Sequence, residues 1–388
     1  MRMSRILCVA AAAMMTMSCG KKGDSAADAE SSQPKIGIAA AENDPQYASL
    51  AEEFRTCKEI NVNCPAYAKR ESIGKTGDRD KARVTFMNWL DEPSAWQIRN
   101  AGAHILWTQY LVDDKVGADE ALGKRVLAAL KKEPTLGKEV NNKYTAVQMA
   151  DVLARFSKSA GMRAAIAEFI GDKSYAFPDA RGEVIRLLPE DALSDAAMFA
   201  VLKTLAEDKT ETMDVRRYVR DALPRVTGPN VPWISQWLTS QINDPDGRWA
   251  GDCAYALARM GTAETYAGLL DVLKKRSEDK PFLYGALWAL RDYFKKTSLN
   301  IDKKPGISLA TDIANNAKLD VTARGMALDA LFASGDPSFK AVATKLSKDK
   351  DATVAKRAED ALRRADAASG KPGAMPSRPG PPQKTAPR

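Results

Sequence analysis

The sequence has a single histidine among 388 residues, His104. A zinc site draws three or four ligands from Cys, His and carboxylate side chains, and no such cluster occurs, so zinc chemistry has no foothold. Gly-x-Ser-x-Gly is missing, and with it the strand–nucleophile–helix setting of a hydrolase triad. His104 lies in NAGAHILWTQY beside Ile105, Leu106 and Trp107, which reads as a structural or surface histidine on a helix. The run GKTGDR at 74–79 lacks the upstream glycine of a phosphate loop and the strand before it, so it reads as a polar loop. Period-2 alternation, the mark of half-buried strands, is absent. The apolar run Ile6–Met17 falls short of the roughly 20 residues that a membrane-spanning helix needs. No catalytic residue, cofactor site or metal site is assigned.

What stands at the front is an address. Arg2 and Arg5 precede the apolar run, which ends Thr16-Met17-Ser18-Cys19-Gly20. Positive charge, then a short apolar stretch, is the layout of a secretory signal. Small or apolar residues followed by Cys and Gly resemble the bacterial lipobox. That resemblance implies cleavage before Cys19, lipidation of Cys19 and a place in the cell envelope, with the outer membrane favoured because no acidic residue follows directly. Several acyl chains on one residue anchor far better than one. Residues 1–18 are thus the expected signal peptide. Residues 19–44, rich in Ala, Ser, Gly, Asp and Lys, are the expected flexible tether.

The chain carries five cysteines. Cys8 falls in the signal and Cys19 takes the lipid. Cys57 and Cys64 are close in sequence and would stand in an oxidising compartment, so a disulfide between them is expected. Their spacing is wider than the C-x-x-C of a thioredoxin-like motif. Cys253 reads as a small apolar residue on a buried helix face. The net charge of +8 is spread among interspersed acids and bases. It allows weak attraction to anionic lipid, while the envelope address argues against nucleic acid. Residues 369–388 hold Pro372, Pro376, Pro379, Pro381, Pro382 and Pro387, which exclude regular helix and sheet. The charges of this expected disordered tail are all Lys or Arg.

Between tether and tail, apolar residues recur at three and four, so the body reads as all-α. In NDPDGRWAGDCAYALARMG, Asp244 can cap, Pro245 suits the first helical position and Gly261 can end the helix. Trp249, Cys253, Leu257 and Met260 form its stripe. DVRRYVRDAL, PFLYGALWAL, DVTARGMALDAL and DATVAKRAEDAL repeat the pattern. Their closing leucines, Leu223, Leu257, Leu290, Leu331 and Leu362, lie 34, 33, 41 and 31 residues apart by subtraction. The long interval holds the polar stretch Thr297–Gly306, an expected inserted loop. A repeat of this period marks an α-solenoid of antiparallel helix pairs. The order Asp, Val, Arg, Ala, Ala-Leu resembles HEAT repeats, best in DPDGRWAGDCAYALARMG and DVRRYVRDAL. A tetratricopeptide array would need a steadier 34-residue spacing. The expected body is a helical cap at 45–92 and HEAT-like repeats at 93–368.

The resemblance implies that Asp214 with Arg216 or Arg217, and Asp246 with Arg248, stitch neighbouring repeats. It also implies a binding role: a membrane-anchored scaffold that holds an envelope protein or extended peptide on a helical-repeat surface. Trp96 and Trp237 are the expected exposed residues of that surface. Two alternatives stay open. One is an envelope enzyme processing glycan or peptide through paired carboxylates in a deep cleft. The other is a structural protein whose basic tail touches peptidoglycan.

Overall fold

A computed structural model describes residues 47–59, 63–67, 69, 79–110 and 116–368. Cys8 and Cys19, the signal peptide, the tether, residues 74–78 and the tail at 369–388 lie outside the described residues. The described chain is all-α, without a strand. None of its helices is long and apolar enough to cross a membrane.

The helices are α1 Ala48–Arg55, α2 Arg79–Trp89, α3 Trp96–Ile105, α4 Glu120–Leu136, α5 Val140–Ala154 and α6 Ala160–Gly171. They continue as α7 Pro178–Leu187, α8 Ala196–Glu207, α9 Met213–Ala222, α10 Val231–Gln241, α11 Gly247–Met260 and α12 Ala263–Lys275. The last are α13 Lys280–Lys295, α14 Lys304–Asn315, α15 Val321–Ser334, α16 Ser338–Leu346 and α17 Ala352–Ala368. From α2 onward each even helix packs on the odd helix that follows it. The odd helices also pack on one another in chain order, which makes an α-solenoid of two helical layers. No pair could bury its apolar stripe alone, and its neighbours complete the core.

Local chemistry sets the helix starts. Asp119, Ser159, Asp195, Thr212, Asp246, Thr262, Asp279 and Asp320 accept backbone N–H bonds at the starts of α4, α6, α8, α9, α11, α12, α13 and α15. Each satisfies donors that the first turn leaves open. At α11 the cap is Asp246 rather than the expected Asp244. Asp246 Oδ1 accepts from the Arg248 and Trp249 N–H groups, while Asp244 accepts from Asp246 N–H in the turn before. The buried seat of Trp249 fixes this phase. Gly261, with φ +61°, closes α11 as expected.

All five closing leucines fall in or just after odd helices, and the first four are fully buried. Leu362, on the last described helix, is half-buried, and among the described residues no further pair follows it. The long interval comes from the coil after α13. It is shorter than expected, because helix resumes at Lys304 and Gly306 is already packed against Tyr266, Phe294 and Leu290.

At the N-terminal end, Phe54 of α1 meets Trp89 edge-on, and Tyr47 lies 4.9 Å from Phe86. A Cys57–Cys64 disulfide closes the turn after α1, and Gln97 donates to the Cys57 carbonyl at 3.1 Å. The helix pairs begin at Arg79, so the expected boundary near Pro93 falls inside the first pair. Helix α2 packs on α3 as the even helix of that pair.

Candidate binding cleft

Helices α11 and α13 touch through their backbones. A Cβ added at Gly285 would lie 2.1 Å from the carbonyl carbon and oxygen of Gly251, and one added at Gly251 would lie 2.6 Å from the Phe282 carbonyl oxygen. Beside this crossing the two outward stripes face one another. Arg248, Asp252 and Tyr255 come from α11, and Pro281, Tyr284 and Trp288 from α13. They line a cleft of about 700 Å³ floored by Gly285. The spacings of four and three put each set on one helix face.

Tyr255, Tyr284 and Trp288 are 39 %, 38 % and 39 % exposed, which sets them apart from the buried aromatic core. Trp288 and Tyr284 are held in place. The Arg291 guanidinium carbon stands 3.5 Å from the centre of the Trp288 ring. Tyr284 Oη donates to Asp320 Oδ2 at 3.1 Å. Asp252 Oδ2 accepts from Arg220 Nη1 at 2.8 Å. Burial opposes the charge of Arg220, but Asp221 and Asp252 outweigh it and raise the group above its ordinary value. A smaller depression adjoins, lined by Leu287, Trp288, Arg291, Met326 and Asp329. Rigid aromatics with fixed polar neighbours are the usual anchors of protein recognition.

The tryptophans expected at the surface do not form this cleft. Trp237 is buried, 8 % exposed, because it stacks on Trp233 at 6.1 Å and takes Trp249 edge-on at 6.4 Å. It belongs to the core between α10 and α11. Trp96 opens α3 half-buried, far along the chain from the cleft. The exposed tryptophan, Trp288, was readable from its own helix. With Phe282, Leu283, Ala286, Leu287 and Leu290 inward, Tyr284 and Trp288 must share the opposite stripe.

His104 Nδ1 lies 3.0 Å from Gln148 Oε1, and Gln148 donates to Asp151 Oδ2 at 2.9 Å. Asp151 and Glu183 are a buried carboxyl pair, 6 % and 8 % exposed. Burial, then Glu183, pushes the Asp151 carboxyl up to about 7, and its Oδ1 has no hydrogen-bond partner. Glu183 is buried too, yet its bonds with Arg186 hold it below its ordinary value. Of the two carboxyls, Asp151 is thus the one that holds a proton more readily. The pair sits on α5 and α7, away from the aromatic cleft.

Of the expected stitching residues, Arg216 does reach the neighbouring pair, while Asp214 and Asp246 act within their own helix starts. Asp214 pairs with Arg217 inside α9, Asp246 is a cap, and Arg216 lies 4.5 Å over the Trp249 ring. Other arginines join neighbouring pairs. Arg181 donates to Ile170 O at 2.9 Å and to Glu211 Oε2 at 2.8 Å, and Arg324 donates to Ala314 O at 3.0 Å and pairs with Asp349. Arg99 binds Glu133 with both partners buried. Cys253 is buried and unpaired, and desolvation pushes its thiol far up, so it is inert as a nucleophile.

No family model matches the chain. No curated protein matches it either. Among solved structures, an engineered protein is similar at 16 % identity with a TM-score of 0.37, over 81 % of this chain and 92 % of that one. A likeness at that score carries no functional argument.

Proposed function

We propose that the chain is an envelope lipoprotein, anchored through Cys19, whose HEAT-like solenoid binds an envelope protein or extended peptide. The observation that carries the binding role is the trio Tyr255, Tyr284 and Trp288, exposed around one cleft, with Trp288 braced by Arg291 and Tyr284 by Asp320. The lipobox-like Thr16–Gly20 supports the anchor, and the Cys57–Cys64 disulfide agrees with an oxidising compartment. An extended chain is the natural occupant of a repeat surface, since each helix pair adds contacts along one direction. An enzyme working through paired carboxylates fits less well. Asp151 and Glu183 are buried on other helices and do not face the cleft.

The test places a photo-crosslinking amino acid at Tyr284 in the native cells, with Lys345 on α16 as the control position. The expected result is one membrane protein captured from 284 and not from 345, with loss of capture when Cys19→Ser releases the chain. Equal capture from both positions, or none from 284, would overturn the binding reading.

A further inference from the structure

The segment that follows the last helix has the composition that aromatic clefts bind. Residues 369–388 carry six prolines, four cations (Lys371, Arg378, Lys384 and Arg388) and no acid. Proline at that density favours the extended polyproline helix, which makes no internal hydrogen bonds and loses little entropy when it docks. The grooves that take it are lined with tyrosine and tryptophan, which pack against proline rings. Tyr255, Tyr284 and Trp288 provide such a surface. Asp252 and Asp329 line it as well, already paired with Arg220 and Arg364, and Arg248 and Arg291 stand beside them.

The chain also leads the tail to this place. Arg364 Nη2 donates to Asp329 Oδ1 at 2.8 Å, and Asp329 lines the same depression as Trp288 and Arg291. Ala368 follows Arg364 by about one helical turn, a rise of about 6 Å. The tail therefore starts beside the α13–α15 depression rather than across the molecule from it. In polyproline form, 20 residues span about 60 Å. That is ample to turn back past Trp288 and reach Tyr255. A segment tethered so near is present at an effective concentration in the millimolar range, so even a weak contact is populated.

We infer that the proline-rich basic tail, residues 369–388, docks in the Tyr255–Tyr284–Trp288 cleft of its own chain. This rests on the reading of the cleft as a binding site. The occupant is an intramolecular polyproline segment, held by its proline rings on the three aromatic side chains.

The experiment uses the full mature chain, made soluble by Cys19→Ser, with a photo-crosslinking residue replacing Pro379. After irradiation the linked peptides are mapped. The expected links join position 379 to the segment 248–291, at a yield independent of protein concentration. They should fall about tenfold in the Tyr284→Ala/Trp288→Ala variant, as the loss of two aromatic anchors implies. Because that variant can disturb the fold, the unaltered cleft is also challenged with millimolar synthetic peptide 369–388. Competition should remove most of the links. Links scattered over the surface, or links that survive the peptide, overturn the inference. A yield that rises with concentration assigns the contact to a second copy and also overturns it. If tail links are absent while Tyr284 still captures a partner in cells, the inference fails and the binding reading stands. If tail links are present and no partner is captured, the reverse holds.

Discussion

Gly285 has no room for a methyl group. Its Cβ would meet backbone atoms of Gly251 at 2.1 Å, and backbone inside a packed helix cannot rotate away as a side chain can. Forced overpacking costs about 1–3 kcal/mol where side chains yield, so Gly285→Ala should cost about 3 kcal/mol or more in urea unfolding. Gly268 in α12 is the internal control. A Cβ there meets nothing within 4 Å. Gly268→Ala should stabilise by about 0.5–1 kcal/mol through the unfolded chain and helix propensity alone. Similar effects at both positions would disprove the close crossing. Asp151 makes a second case at this scale. Its carboxyl is pushed from 3.8 to about 7 by burial and then by Glu183, so the folded chain binds that proton more tightly than the unfolded one. Stability from the neutral form is complete below 3.8 and lost as pH rises toward about 7. Glu183 acts oppositely. Its value is lowered, so its contribution is present above 4.5 and lost as pH falls. Asp151→Asn removes the first effect and leaves the second. Urea midpoints of the wild type should fall between about pH 4 and 7, with a flatter profile for the variant. Parallel profiles would rule out a proton held on Asp151.

At the scale of the element, one arginine can tie three segments together. Arg181 and Arg324 are each the fourth residue of an odd helix. Each reaches back to a carbonyl in the last turn of its own even helix and forward to a carboxylate before the next odd helix. Burial works against the charge of Glu211, but Arg181 and the Thr212 N–H hold it below its ordinary range. Removing one partner of a buried ion pair leaves the other uncompensated, at a cost of about 3–5 kcal/mol, whereas replacing both by apolar groups costs far less. Glu211→Met should therefore be worse than the double variant Arg181→Met/Glu211→Met in thermal or urea unfolding. A double variant as damaged as the sum of its parts would mean that the pair is not coupled. These clamps were not legible in the sequence, because they join residues 30 and 25 positions apart and their phase depends on a neighbouring helix. The Gly251–Gly285 crossing was hidden for the same reason. What was legible is local or periodic. The closing leucines placed the odd helices, Gly261 ended α11, and Cys57 with Cys64 announced their bridge through a short loop. Trp237 misled because its exposure depends on Trp233 and Trp249, which only the packing of α10 against α11 brings together. Trp288 needed no more than the inward residues of its own helix.

Across the whole solenoid the interfaces are unequal, and the junction between α9 and α11 is the thinnest. The chain between them passes through Leu223-Pro224 and Gly228-Pro229, with Gly228 at φ +81°. The neighbouring odd helices α11 and α13 meet backbone to backbone. Here the contact runs through side chains gathered on one tryptophan. Arg216 and Arg220 lie 4.5 and 5.3 Å over the Trp249 ring, Arg220 pairs with Asp252, and Arg259 donates to Asp221 O at 3.0 Å. In the even layer, Phe199 of α8 meets Trp233 of α10 edge-on at 5.6 Å. Stability in a repeat array is close to a sum of units and nearest-neighbour interfaces, so its cooperativity fails first at the weakest interface. Trp249→Ala removes a buried indole, a loss of about 3–5 kcal/mol, and removes the platform under both arginines. The expected outcome is that one urea transition becomes two. Hydrogen exchange should then show residues 231–368 opening before residues 79–222, because the cavity lies inside α11 and the N-terminal pairs keep their Arg99 and Arg181 clamps. Peptides from both segments weakened to the same extent would mean that the junction transmits stability as well as the rest, and that the solenoid unfolds as one block.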